Sequence, residues 1–298
     1  MQSDDSLEIP ALTNLWRGEL KLAWQAAEDG IAQLGDHRAL RDYWIFRFVR
    51  AEVLRMRGRV EEARDYLESL GSPVGDVESI ASLRMHIGYC SALLGDYKVA
   101  NSLLEESLAQ ACRANLPSLQ VEVKLRQAMN SFLQKDLDSA ENTYRTLLEA
   151  SVEKLGWYLH SMALGGVGKI LLHRRRFQEA LPWLEQAIQI AKEAGAPLKA
   201  IGFESEVAVC YLGMNDALTS LKILKIAERA SLESGAMHLY QVTLADIGNV
   251  YLRQGEYWTA ISYYQRALNL AKEMKDPVKV ANWTFNLRLA YAKLVERR

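Results

Sequence analysis

Cysteine is scarce. Cys90, Cys112 and Cys210 are odd in number, far apart and form no CxxC, which argues against a disulfide framework or a zinc site and fits a reducing cytosol. Proline and glycine are also sparse, 6 and 18 among 298 residues, so the chain is poor in the residues that interrupt regular structure. Charge of one sign is missing as well: 36 Lys plus Arg against 37 Asp plus Glu leave a net −1, without the basic footprint of a nucleic-acid binder or an acidic tail. No apolar run approaches the roughly 20 residues needed to cross a bilayer. The acidic opening "MQSDDSLEIPALTNLW" lacks the basic and apolar regions of a signal peptide. The expected location is the cytoplasm. What remains is long runs of Ala, Leu, Glu, Gln and Arg, which favour helix almost throughout.

A repeat organises these runs. The stretch "IGNVYLRQGEYWTAISYYQRALNLAKEMKD" (247–276) holds two helical hydrophobic patterns split by a glycine and an acidic residue. It belongs to a unit running 241–280, and counting back in forties finds fainter copies. The eighth place reads Gly248, Ala208, Gly168, Ala128 and Gly88, then Ala51 after a shorter step. The twentieth reads Ala260, Ser220, Ala180, Ala140, Ala100 and Ala63, and the twenty-fourth reads Tyr264, Leu224, Leu184, Tyr144, Leu104 and Leu67. Small side chains at the first two places let helix backbones approach closely, and the large residue at the third fills the groove.

Gly58, Gly95 and Gly255 suit the left-handed residue that ends a helix. Pro117, Pro197 and Pro277 mark the boundaries between units, and Pro182, early in a second helix, predicts a slight bend. A helix pair that is apolar on one side cannot bury that side alone; stacked neighbours bury it. The expected fold is therefore all-α, a right-handed superhelical solenoid of antiparallel helix pairs without a central core. Residues 1–43 form an N-terminal segment with partial repeat helices, 44–280 an array of about six repeats, and 281–298 a final first helix. Arg288 stands there at the place held elsewhere by Gly or Ala, so one face of this helix is wet. The helix either caps a complete solenoid or marks where a longer protein was cut.

This spacing, with Tyr251 three residues after Gly248 and Ala267 three after Tyr264, resembles the tetratricopeptide repeat over roughly 16–298, most strongly in 241–276 and 161–194. The chain departs from the family at the fourth place, where an aromatic is usual and Arg47, Arg84, Lys124, Leu164, Glu204, Leu244 and Thr284 stand instead. Units of forty resemble the long-repeat subgroup of bacterial signalling proteins, and the last unit followed by "ANWTFNLRLAYAKL" is similar to arrays that precede CHAT caspase-like peptidases. The resemblance implies a protein-interaction scaffold that binds a peptide, a helix or a neighbouring effector domain, which belongs either to a partner or to the same polypeptide. The alternative is a peptide- or ligand-responsive sensor that controls such an effector.

The resemblance also implies that places two, five, nine and twelve of the first helices line the concave face. The Lys and Asn with which chaperone-binding members grip a terminal carboxylate are absent there, apart from Asn249. The track instead offers Phe48, Met85, Tyr89, Met129 and Phe132 as apolar contacts, with Lys169, Asn249 and Arg253 as polar ones. The competing reading is that several of these are simply core between units. Basic clusters at 47–59 and in "HRRR" (173–176) are either solvated turns that complement a helix dipole or a seat for an anionic partner.

No catalytic constellation is visible. Cys90 and Cys210 share the tenth place as small buried hydrophobes, and a Cys90–His86 contact one helical turn apart would lack an oxyanion site. His37, His160, His173 and His238 lack metal-ligand spacing. "LGGVGK" (164–169) resembles a phosphate loop without its strand or its Ser/Thr. The sequence therefore predicts no enzyme, no cofactor and no metal. It predicts a protein or peptide partner, with membrane and nucleic acid disfavoured.

Overall fold

The computed structural model describes residues 8–73, 76–149 and 152–296, which form fifteen α helices and no strand. Helix α1 (Glu8–Arg17) pairs with α2 (Leu20–Leu34), α3 (Arg41–Met56) with α4 (Val60–Ser69), and α5 (Val77–Leu93) with α6 (Tyr97–Arg113). The next pairs are α7 (Pro117–Leu133) with α8 (Leu137–Leu148), α9 (Val152–His173) with α10 (Phe177–Glu193), and α11 (Pro197–Gly213) with α12 (Ala217–Glu233). Helix α13 (Met237–Arg253) pairs with α14 (Tyr257–Glu273), and α15 (Pro277–Glu296) follows without a second member among the described residues. The chain is thus an all-α solenoid of stacked antiparallel pairs.

Left-handed residues punctuate it at the sequence period. Gly95, Lys135, Arg175, Asn215 and Gly255, forty apart, end first helices with φ of +87°, +69°, +60°, +69° and +77°. Gly58, which the pattern also marks, has φ +82°. At each such turn the following N–H reaches back to a carbonyl of the last helical turn, as in Asp96 to Ser91 and Glu256 to Tyr251, both 2.9 Å. Lys135 and Arg175 hold the same conformation with a Cβ, at a cost of roughly 1–2 kcal/mol each that the closed turn offsets. Asp96, Asp136 and Asp216 then cap the second helices by accepting from the N–H groups of Val99, Ser139 and Thr219. Pro117, Pro197 and Pro277 stand as the first residues of α7, α11 and α15, where a missing N–H costs nothing.

The small and large places meet as complementary surfaces. Ala51, Ala128 and Ala208, all six residues at place twenty, and all six at place twenty-four are buried. A Cβ added to Gly248 would lie 2.7 Å from the Tyr264 ring, and one added to Gly168 would lie 2.7 Å from Leu184. The Tyr144 ring occupies the space beside Gly166 of the next unit, where a Cβ would come within 2.5 Å. The large residue therefore covers bare backbone within its own pair and, at Tyr144, across the unit boundary. Each such wholly buried side chain contributes about 1.5–3 kcal/mol.

The superhelix winds tightly enough for its ends to meet. First helices α3, α5, α7, α9, α11 and α13 touch in succession, and α13 returns to touch α3, closing an inner ring. Helix α1 lies across this ring against α11. Leu20 and Ala23 of α2 and Phe46, Val49 and Val53 of α3 share one apolar cluster with Leu198 of α11 and Ala236, just before α13. At Gly18 (φ +78°) a side chain would collide with Leu198, at Gly58 with Met274, and at Gly95 it would come within 3.3 Å of Val278. Lys275 pairs with Glu61 at 3.4 Å beside the Gly58 turn. The expectation of a solenoid without a central core is corrected here: where distant units meet, the N-terminal helices build an apolar centre.

Close approach at place eight has a direct test. Gly168→Ala is expected to destabilise the chain by about 1–3 kcal/mol through overpacking against Leu184. Gly202→Ala, also helical but with nothing within 4 Å, is expected to stabilise it by about 0.5–1 kcal/mol. Urea denaturation of the two variants reads both signs.

Candidate functional site

Inside the ring, against the N-terminal helices, lies a cavity of about 350 Å³. One wall is apolar, built from Leu12, Leu15 and Trp16 of α1, Trp44, Phe48 and Met56 of α3, Met85 of α5 and Leu198 of α11. Another part of the lining is polar and carries Glu52, His86, Glu122, Arg126, Tyr158 and Lys199 from α3, α5, α7, α9 and α11. An apolar pocket with a few convergent polar groups is the usual form of a ligand site.

The polar wall is made of charges that protein surrounds. Glu52 accepts from both Arg55 Nε (2.7 Å) and Nη2. Burial alone would raise the Glu52 carboxyl, but the Arg55 guanidinium outweighs it and holds it well below the usual range. Arg126 is 3% exposed; its Nη2 donates to Glu122 (3.3 Å) and to the Tyr158 oxygen (3.4 Å). The Arg126 guanidinium lies over the Tyr89 ring at 4.3 Å, with Arg55 over the same ring at 5.4 Å. Lys199 stands over the Tyr158 ring at 5.0 Å. His86 stacks on Phe48 at 4.7 Å, and burial lowers its pKa.

A second polar cluster occupies the channel wall formed by α9, α11 and α13. Lys169 pairs with Glu206 at 2.9 Å. Asn249 donates to Asp246 (3.3 Å) and accepts from the Tyr264 hydroxyl (2.7 Å). Burial, reinforced by Glu206, pushes the Asp246 carboxyl up to about 7 against the opposing pull of Lys279, Asn249 and Lys169. Burial and neighbouring cations hold His238 down to about 3, so its ring is neutral at physiological pH.

The eight residues marked from the sequence separate into groups. Phe48 and Met85 come together at the cavity. Tyr89, 5% exposed, lies behind its wall and supports Arg126. Met129 and Phe132 pack against the core cluster between α7 and α9, Phe132 edge-on to His173 at 4.9 Å. Lys169 and Asn249 belong to the second cluster. Arg253 is exposed at the end of α13 and donates to the Leu212 carbonyl at 2.7 Å. Missed from the sequence were place six, where His86, Arg126, Glu206 and Asp246 recur, and the extra turn that a forty-residue unit adds before place one, which carries Tyr158, Lys199 and His238. Ionisable residues recurring one step from an inner place are a legible signal.

Other marked features are structural. Burial pushes the Cys90 and Cys210 thiols up to about 12, which keeps them from acting as thiolates at neutral pH. The glycines of "LGGVGK" lie inside α9 and receive Phe203, Tyr144 and Leu184 rather than phosphate. The basic clusters are divided among separate partners: Arg50 pairs with Glu28, Arg59 with Glu62, Arg174 with Asp138 and Glu141, and Arg176 with Glu179. Among the described residues no group of three or more His, Cys, Asp or Glu is placed to hold a metal. No described helix is long and apolar enough to cross a membrane.

The raised Asp246 predicts a pH effect. Between pH about 4 and about 7 the folded chain keeps a proton that the unfolded chain has released, so this group's contribution to stability is lost as pH rises through that window. His238 acts in the opposite sense, its contribution being lost as pH falls from about 6.5 towards 3. Asp246→Asn removes only the first effect. Its urea midpoint relative to the unsubstituted chain should therefore climb from pH 4 to pH 7 and exceed it at pH 7.5.

Known proteins resemble the chain in two ways. The family model described as "Suppressor of spindle checkpoint defect 1 C-terminal domain" matches residues 50–215, more than half of the chain, and a tetratricopeptide-repeat model matches 243–278. No curated protein matches the sequence. Among solved structures, a Rap protein complexed with competence and sporulation factor is similar at TM-score 0.67, with 13% identity over 98% of this chain and 86% of that one. The Rap conjugation gene regulator of plasmid pLS20, in complex with the Phr* peptide, is similar at TM-score 0.68, with 12% identity over 90% and 73%. The Cut9–Hcn1 hetero-tetramer of the APC/C supplies a chain at TM-score 0.62 and 13% identity, over 97% of this chain and 49% of that one. At these identities the likeness is one of fold.

Proposed function

The chain belongs to the family of the Suppressor of spindle checkpoint defect 1 C-terminal domain and carries tetratricopeptide repeats, and we propose that it is a non-catalytic protein-interaction scaffold. It binds a short segment of its partner inside the ring of first helices. The observation that carries this reading is the cavity itself, an apolar lining with clustered polar groups at the point where α1, α3, α5, α7, α9 and α11 converge. Its volume of about 350 Å³ lies at the small end of ligand pockets, about 300–1,000 Å³. That room admits a few side chains of an extended segment, not a whole helix. The similar folds that hold the Phr* peptide and Hcn1 lend support.

Of the eight marked residues, Phe48 and Met85 are the direct contacts, and Tyr89 acts by holding Arg126. A phage-displayed library of random peptides, selected on the purified chain, tests this. Phe48→Ala with Met85→Ala is expected to reduce retention of selected peptides at least about tenfold, as loss of two central apolar contacts does. Trp258→Ala, on the exposed face of α14, is expected to leave it unchanged. Circular dichroism checks that the helices persist. Retention lost in the Trp258 variant and kept in the double variant would move binding to the outer surface.

A second reading, a ligand-responsive module that controls an effector in bacterial signalling such as a CHAT peptidase, gains support from α1. Leu12, Leu15 and Trp16 form part of the cavity wall while α1 also bridges the ring from α3 to α11. Filling the cavity therefore acts on ring closure, and small-angle scattering with and without a selected peptide reads any change in the radius of gyration.

A further inference from the structure

We propose that the cavity is a site for an apolar monocarboxylate, presented either by the C-terminal residue of a peptide or by a free aryl-alkanoic acid. The proposal rests on the reading of the cavity as the binding site and assigns the chemistry of what it takes.

Pairing on the polar wall is uneven. Glu52 is committed to Arg55, Glu122 to Arg126, and Glu78 at the rim to Arg41 at 3.5 Å. Lys199 is left as the cavity cation with no carboxylate partner among the described residues, and it sits over the Tyr158 ring. Two further donors lack an acceptor on neighbouring groups. The Tyr158 oxygen accepts from Arg126, which leaves its own O–H proton without an acceptor among the described residues. Arg126 Nε is buried and without a hydrogen-bond partner. A buried donor left without an acceptor is costly, and such a group in a native fold calls for a partner.

An ammonium without an ion-pair partner over the Tyr158 ring, together with the free O–H of that ring, calls for an anionic acceptor. The charge state of Tyr158 agrees: burial would raise its hydroxyl, yet Arg126 and Lys199 together outweigh burial and hold it below its usual value. Carboxylate suits the site better than phosphate, because a single ammonium outside the ion pairs balances one negative charge. The rest of the ligand is set by the apolar part of the lining, where Leu12, Leu15, Trp16 and Phe48 keep aromatic and aliphatic surface accessible. The anion at the polar groups and the apolar body against α1 and α3 then fill the space together.

Calorimetry and Trp fluorescence (Trp16 and Trp44 line the cavity) test the site with three probes: N-acetyl-leucyl-phenylalanine, its C-terminal amide, and 3-phenylpropanoate. The free acid is expected to bind at least about tenfold more tightly than the amide, the scale of one charge-assisted contact. Lys199→Gln should erase that preference, and Tyr158→Phe, which removes only a hydroxyl, should reduce it several-fold, with thermal melts confirming both folds. Equal affinity of 3-phenylpropanoate and the peptide acid would identify the free acid as sufficient; a clear preference for the peptide would identify a peptide end. Equal binding of acid and amide would overturn the carboxylate assignment while leaving the cavity as a peptide site. Binding of none of the three would overturn it too, and displayed peptides retained through Phe48 and Met85 would show that the wider reading survives.

Discussion

A large side chain lying on bare helix backbone is the contact on which this protein is built. Tyr264 on Gly248, Leu184 on Gly168 and Tyr144 on Gly166 set how closely two helices approach. That distance, repeated every forty residues, sets how much each pair turns relative to the last. Small variations in it propagate along the stack because each unit is set chiefly on its neighbour. The register of the whole inner ring therefore depends on a handful of places where no Cβ, or only a methyl group, is present.

Closure follows from that turning. Once α13 comes round to α3, the N-terminal helices meet surfaces that lie far away in sequence, and the contacts of Gly18 with Leu198 and of Gly58 with Met274 become available. An open groove becomes a cavity ringed by helices. Enclosure changes the meaning of every polar residue on the inner face: a lysine or aspartate that would be solvated on an open surface must find a partner. Most do, in the Glu52–Arg55, Arg126–Glu122 and Lys169–Glu206 pairs, and the few that do not mark the place where a ligand would complete the set.

The helices, their boundaries and their pairing were legible because each has a local cause. A left-handed glycine at 58, 95 or 255, a proline at 117, 197 or 277, and a small residue every forty positions act within one or two turns of themselves. The cavity was only partly legible. Phe48 and Met85 were visible as an inner apolar track, whereas Tyr89 and Phe132 carry the same pattern yet serve as supports. An apolar residue on an inner face reads alike whether it packs against a neighbouring unit or faces a void. Arg126 and Lys199 escaped because they lie outside the four inner places considered.

By itself the sequence determined the helical repeat and the small-and-large complementarity that stacks it, since both rest on residues near one another in the chain. The tertiary structure alone decided that the ring closes, that α1 walls the cavity, and that Tyr158, Arg126 and Lys199 from three separate helices share one spot. The physical reason is that closure sums small rotations over many units, and no single segment records that sum.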